Sequence, residues 1–106
     1  MIYDVDRVDL MAKRKDSGHD LFIISSGAID ASPSTQRLLL DKISNYLGYV
    51  CSENFCNEFP DVKKGEVAII FELDEPAPRL LMELCEKITL WIEDNGMLFI
   101  VNQKKK

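Results

Sequence analysis

The sequence lacks the residue clusters that usually carry catalysis or hold metal ions. It has one histidine, His19, and three cysteines, Cys51, Cys56 and Cys85, which show no paired zinc-ligand spacing. Residues 25–27, Ser-Ser-Gly, lack the glycine spacing that aims several backbone N–H groups at one phosphate. We therefore expect no catalytic residue, no cofactor and no bound metal ion.

Long apolar runs are also absent, and the 13 basic residues are outnumbered by 18 acidic ones. No run is long enough to cross a bilayer, and residues 1–6 are unlike a signal peptide, so we expect a cytoplasmic protein. Three cysteines cannot all pair within one chain, and reduced thiols fit that location. The net charge of −5 disfavours nucleic acid and membrane partners. We interpret the lysines at 104–106 as a solubilising basic tail.

What the sequence does have is an alternation between strand and helix periodicity. The order is ββαβαβ, and it predicts one domain over residues 1–103. The predicted strands cover residues 8–13, 21–25, 66–73 and 97–101, and the predicted helices cover 34–54 and 78–94. Long crossovers favour parallel neighbours with right-handed connections. We therefore predict an α+β fold, a two-layer sandwich in which two helices cover one face of a four-stranded mixed sheet that begins with an antiparallel hairpin.

Both predicted helices carry an apolar stripe and end signals. Ser32 is a suitable N-cap followed by Pro33, and Gly96 suits a left-handed C-cap. We expect Lys42 to face water with its polar neighbours. The apolar stripes comprise Leu39, Ile43, Tyr46, Leu47 and Val50 in the first helix and Leu81, Leu84, Ile88, Trp91 and Ile92 in the second.

Two helices on one face leave the other face of the sheet partly uncovered. We expect Phe22, Ile24 and Phe71 among the residues there, and an exposed apolar sheet face is commonly covered by oligomerisation. The sequence therefore predicts a homodimer. The segment at 54–61, with Phe55 and Phe59, is either a protein interface or a local cap on the core.

These observations favour a non-enzymatic protein-interaction module that self-associates, and an acidic chain also suits a basic protein partner. The candidate interface residues are Phe55, Phe59, Phe22 and Phe71. His19 and Asp20 point to opposite faces of a strand, so we interpret His19 as an exposed turn residue, not a catalytic base. The alternative is a small-molecule-binding or enzymatic domain. Its pocket would require His19, Tyr46, Tyr49 and Glu72 to converge between sheet and helices or at a dimer seam.

The central segment also resembles a known family. Residues 38–47 fit the form Leu-Leu-x-x-Lys-x-x-x-Tyr-Leu, followed by Cys51-Ser52-Glu53 and Phe59-Pro60-Asp61. In these motifs, in Val8-Asp9 and in Gly96 the chain resembles a family of roughly hundred-residue bacterial proteins with no assigned function. Ala31 departs from that pattern, because the family often has Trp there. The resemblance implies a shared fold, and because the family has no assigned activity, no catalytic residue can be transferred from it.

Overall fold

A computed structural model describes residues 10–13, 18–25 and 29–103. The predicted start of the first strand at residues 8–9, most of the turn at 25–27 and the lysine tail at 104–106 lie outside the described residues. The strands are β1 Leu10–Lys13, β2 His19–Ser25, β3 Val67–Leu73 and β4 Leu98–Gln103, and the helices are α1 Pro33–Val50, α2 Glu53–Glu58 and α3 Arg79–Asp94. A single 3-10 turn, Lys64–Glu66, leads into β3.

The four strands form one mixed sheet in the order β1-β2-β3-β4. β1 pairs with β2 in antiparallel orientation, whereas β2–β3 and β3–β4 are parallel. The hairpin and the two crossovers therefore confirm the predicted mixed sheet. α1 and α2 make up the first crossover, and α3 makes up the second.

The core lies between the sheet and the helices, because one alternate set of strand residues is buried. Leu21 of β2 pairs with Ile69 of β3, which pairs with Phe99 of β4, and all three are buried. These residues belong to the same buried cluster as Leu39 of α1 and Ile88 of α3. Both helices therefore cover one face of the sheet, as predicted from the two apolar stripes.

α1 begins where the sequence predicts. The Ser32 hydroxyl accepts a 3.2 Å hydrogen bond from the Thr35 N–H, and Pro33 is the first helical residue. The Asp30 carboxylate accepts from the Thr35 hydroxyl and from both the N–H (3.1 Å) and hydroxyl (2.9 Å) of Ser32. These bonds, that from Thr35 first, hold the pKa of Asp30 below its ordinary value of 3.8.

The long helix predicted over 34–54 is wrong at its C-terminal end. α1 ends at Val50, and Ser52 caps a separate six-residue helix, α2, by accepting a 3.2 Å hydrogen bond from the Phe55 N–H. The Ser52 hydroxyl also donates to the Tyr49 carbonyl oxygen. Serine favours such N-caps because its short side chain reaches the backbone of the next turn. The prediction of one continuous helix was based on apolar spacing, which does not show this break.

Two predicted orientations are also wrong. Lys42 was expected to face water, but its side chain is fully buried, with Nζ 5.8 Å from the centre of the Tyr46 ring, a distance typical of a cation–π contact. Trp91 was expected in the apolar stripe, but it is 36% exposed. It directly precedes the buried Ile92, and consecutive helical residues point about 100° apart.

Candidate functional site

The candidate site is the face of the sheet opposite the helices. Phe22 of β2 pairs with Ile70 of β3, which pairs with Ile100 of β4, so the three side chains form a row across the strands. Phe22 and Ile70 are half-buried, and Ile100 is 46% exposed. We call the described residues of this face the open face. They comprise Ala12, Asp20, Phe22, Ile24, Ala68, Ile70, Glu72, Leu98, Ile100 and Asn102.

Polar residues flank the apolar row of the open face along the strand direction. On one side, the Asn102 side-chain amide donates a 3.0 Å hydrogen bond to the Glu72 carboxylate across the β3–β4 pair. On the other side, Asp20 is in register with Ala68, which is fully buried and pairs with Leu98, a residue 48% exposed. The arrangement is an apolar centre between two carboxylates, as in interfaces with an apolar core and a polar rim.

The structure corrects one expectation about the open face and supports two others. Phe22 and Ile24 lie on it, because they alternate with the buried Leu21 and Ile23. The expectation that Phe71 lies there is wrong. Phe71 pairs with Ile23 on the helix side and is fully buried. Its position in an apolar run gave no indication of which face it would occupy.

A second cluster of chemically interesting side chains lies where α2 covers the start of β2. The ring centres of His19 and Phe59 are 4.5 Å apart, and those of Tyr49 and Phe55 are 5.2 Å apart. Phe55 is buried and also contacts His19, at 6.3 Å between ring centres. The cluster has the geometry of a local cap on the core, one of the two interpretations of the 54–61 segment.

The prediction that His19 is an exposed turn residue is wrong, because it is only 2% exposed. It begins β2, and the aromatic rings of α2 and of the turn after it enclose it. Among the residues that the structure describes, its buried Nδ1 atom has no hydrogen-bond partner. Burial, and secondarily the Glu58 carboxylate, raises the pKa of the nearby Tyr49 hydroxyl, so Tyr49 stays neutral at physiological pH.

The four residues that a pocket would require do not converge. Glu72 lies on the open face, whereas His19 and Tyr49 contact Phe55 on the helix side. The Tyr46 hydroxyl donates a 2.6 Å hydrogen bond to the carbonyl oxygen of the β2 backbone at position 22. A cavity of about 410 Å³ lies elsewhere, at the start of α1, lined by residues 33, 34 and 37.

Comparison with known proteins gives a family and no activity. A family of unknown function, DUF6572, matches residues 1–105. The chain belongs to this family. No curated protein and no solved structure matches it. Membership in DUF6572 therefore identifies no catalytic or binding residue.

Two features are absent from the described residues of the DUF6572 chain, a metal-binding group and a membrane-spanning helix. Within them, no group of three histidine, cysteine or acidic side chains is placed so that it would hold a metal ion. Of the described helices, none combines the length and apolar character that a membrane crossing requires.

Sequence reasoning did not assign three residues of the open face, Ile70, Leu98 and Ile100. β4 reads Leu-Phe-Ile-Val, and β3 is also continuously apolar, so neither strand shows the polar alternation that separates a wet face from a dry one. The information that assigns these residues to a face is the pairing register of β2, β3 and β4. Once Phe22 is assigned to the open face, parallel pairing places Ile70 and then Ile100 beside it.

Proposed function

We propose that this protein is a non-enzymatic protein-interaction module that self-associates through the open face of its sheet. The observation that carries the proposal is the apolar row of Phe22, Ile70 and Ile100, which none of the residues in the helix-side core covers. Burying such a row removes apolar area from water, at about 25 cal/mol per Å². A second copy supplies the same apolar row between the same flanking carboxylates.

The size of the open face limits the area that a dimer can bury. β4 has six residues in a four-stranded sheet, and with a rise of about 3.3 Å per residue and about 4.8 Å between strands the face measures roughly 20 by 19 Å. Two such faces bury about 800 Å² when they are treated as flat, which is below the ~1,000 Å² that a specific interface usually clears and is typical of a weak one. We therefore propose a dimer that dissociates on dilution, with two sheets stacked face to face.

Charge acts against this dimer. Each copy carries a net charge of −5, and Asp20 and Glu72 lie beside the apolar row. Because salt screens repulsion between exposed charges beyond about 8 Å at physiological ionic strength, added salt strengthens the association. This salt dependence is opposite to that of an association held together by ion pairs.

The test is sedimentation velocity over a range of protein concentrations extending to the high micromolar range. The wild type has a monomer mass of 12.1 kDa and is expected to approach twice that mass as concentration rises. Ile100→Lys places a charge in the apolar row and is expected to remain a monomer. Far-UV circular dichroism checks that the variant keeps its fold.

Leu90→Lys is the matched control, because it introduces the same charge at a 65% exposed leucine on α3, in the helix layer. It is expected to dimerise like the wild type. A wild type that stays a monomer at high micromolar concentration contradicts the proposal. If the Ile100→Lys protein is folded and still dimerises, the open face is not the dimer interface.

A further inference from the structure

Two exposed cysteines flank the break between α1 and α2. Cys51 directly follows α1, Cys56 lies within α2, and both are free thiols in the structure. On one continuous helix, side chains five positions apart point about 140° away from each other. The break removes that separation, because Ser52 leaves the helical conformation, with a φ of −81° and a ψ of 156°.

The N-cap of α2 determines how the two cysteines face each other. The Ser52 hydroxyl accepts a 3.2 Å hydrogen bond from the Phe55 N–H, and the Ser52 carbonyl oxygen accepts a 3.2 Å bond from the Cys56 N–H. Cys51 is therefore the residue before the N-cap, and Cys56 is the fourth residue of the helix. Side chains at these two positions often pack against each other beside the first helical turn. The capped backbone thus directs both thiols to the same side of the break.

We propose that Cys51 and Cys56 form a reversible disulfide that joins the end of α1 to α2. A disulfide requires Cα atoms about 4.4–6.8 Å apart, which is the range of side chains that pack directly against each other. Exposure makes both thiols accessible to a soluble oxidant, whereas Cys85 is buried in α3 and takes no part.

The oxidant for this reaction is a small-molecule disulfide. The thiolate of one cysteine attacks a sulfur of the oxidant, which forms a mixed disulfide and releases one small thiol. The thiolate of the other cysteine then attacks the protein sulfur of the mixed disulfide and releases the second small thiol. The two cysteines lose two electrons and two protons, and the oxidant takes them up as two thiols. An excess of small thiol reverses both steps.

The disulfide constrains the helix that covers the start of β2. Phe55, the buried residue of α2, contacts the rings of both His19 and Tyr49. The oxidised protein therefore holds this aromatic cluster by a covalent link in addition to the cap and the ring contacts. The proposal does not depend on self-association, because both cysteines lie in the connection between β2 and β3 and not on the open face.

The test equilibrates the protein at low micromolar concentration in buffers of reduced and oxidised glutathione. Mass spectrometry distinguishes the internal disulfide, which removes two hydrogen atoms, from a mixed disulfide, which adds glutathione. Peptide mapping is expected to find Cys51 linked to Cys56 and Cys85 unmodified. The equilibrium gives the effective concentration of one thiol at the other. We expect it to be at least about tenfold higher in the folded protein than in urea, where a short flexible segment gives values in the millimolar range.

A variant of the cap tests whether the backbone geometry produces this preference. Ser52→Ala removes the hydroxyl that caps α2 and is expected to lower the folded-to-unfolded ratio about fivefold, the usual effect of losing an N-cap. Ser44→Ala is the matched control, because Ser44 is exposed on α1 away from the break, and it is expected to keep the wild-type ratio. Far-UV circular dichroism checks that both variants keep their fold.

Several outcomes overturn the proposal. These are glutathione adducts without an internal link in the folded protein, an equal effective concentration in the folded and urea-unfolded protein, and a disulfide that contains Cys85. A covalent dimer as the main product on a non-reducing gel also overturns it, because the thiols then pair between chains. If a folded Ser52→Ala protein keeps the full wild-type ratio, the cap does not bring the two cysteines together.

Discussion

The hydroxyl of Tyr46 donates a 2.6 Å hydrogen bond to the backbone carbonyl oxygen of Phe22, 24 positions earlier in the chain. The bond joins the C-terminal half of α1 to β2, the strand that also carries part of the open face. Tyr46 is 1% exposed, so its hydroxyl has no access to bulk water. The tyrosine of the Lys-x-x-x-Tyr-Leu pattern thus fixes helix to sheet, and the lysine of that pattern, Lys42, is buried beside its ring.

Tyr46→Phe is therefore expected to lower the free energy of unfolding by about 1–2 kcal/mol, the usual effect of losing one buried hydrogen bond. Urea denaturation measures the change. Tyr49→Phe is the control, because the Tyr49 ring keeps its contact with Phe55 when the hydroxyl is removed. If both variants lose the same free energy of unfolding, the hydrogen bond to Phe22 does not contribute more to stability than the Tyr49 hydroxyl.

Two glycines are expected to respond to alanine in opposite directions. Gly48 lies on the exposed side of α1, and a Cβ there meets no atom within 4 Å, so Gly48→Ala should stabilise by about 0.5–1 kcal/mol. Gly96 follows α3 with a φ of 82°, where an L-residue is strained by about 1–2 kcal/mol. Gly96→Ala should therefore destabilise. Thermal and urea unfolding compare the two, and a gain in stability for Gly96→Ala contradicts the assigned cap.

The same contrast shows what the sequence could predict. Gly96 was identifiable because an Asn-Gly pair directly after an apolar helical stripe is a strong stop signal. Helix order and sheet topology followed from periodicity and crossover length. The break between α1 and α2 was not predicted, because Ser52 interrupts an apolar spacing that continues into Phe55.

Burial within the elements was harder to predict. Lys42 is one position from Ile43, and its buried side chain places Nζ 5.8 Å from the centre of the Tyr46 ring, one turn away. Phe71 and Ile70 are consecutive in an apolar strand and face opposite sides of the sheet. Only the register with Ile23 and Phe22 separates them. The open face of the candidate site is therefore a property of strand pairing, not of composition.

The cap of α1 is expected to be sensitive to acid. Hydrogen bonds from Thr35 and Ser32 favour the ionised form of Asp30 and lower its pKa in the folded protein. A lowered pKa contributes stability above the unfolded value, near pH 4, and that stability disappears as pH falls through the folded value. Asp30→Asn should therefore be less stable than the wild type at pH 7, with the difference shrinking below about pH 4.

Urea denaturation of both proteins over a pH series measures that difference, and subtraction cancels groups that titrate equally in both. Asp41→Asn, an exposed carboxylate on α1 beyond the capped turn, is the control. Because the carboxylate of Asp41 is not part of the cap, Asp41→Asn should cost less stability at pH 7 than Asp30→Asn. A wild-type advantage that grows on acidification contradicts the role given to the Asp30 carboxylate.

The three cysteines are expected to separate into two reactive thiols and one protected thiol. Cys51 is exposed directly after α1 and Cys56 is exposed within α2, whereas Cys85 lies buried in α3. Burial raises the pKa of Cys85 to about 11, so at pH 8 only roughly one part in a thousand is the nucleophilic thiolate. A soluble aromatic disulfide should modify two thiols rapidly, and peptide mapping should identify them as Cys51 and Cys56.

The third thiol should react only when α3 leaves the sheet. In the Cys51→Ser/Cys56→Ser protein, no rapid phase remains, and the slow modification of Cys85 reports the opening of the core. Leu81→Ala should accelerate that phase, because Leu81 is fully buried one turn before Cys85 and its truncation leaves a cavity under α3. Rapid labelling of Cys85 in the folded protein would contradict the docking of α3 on the sheet.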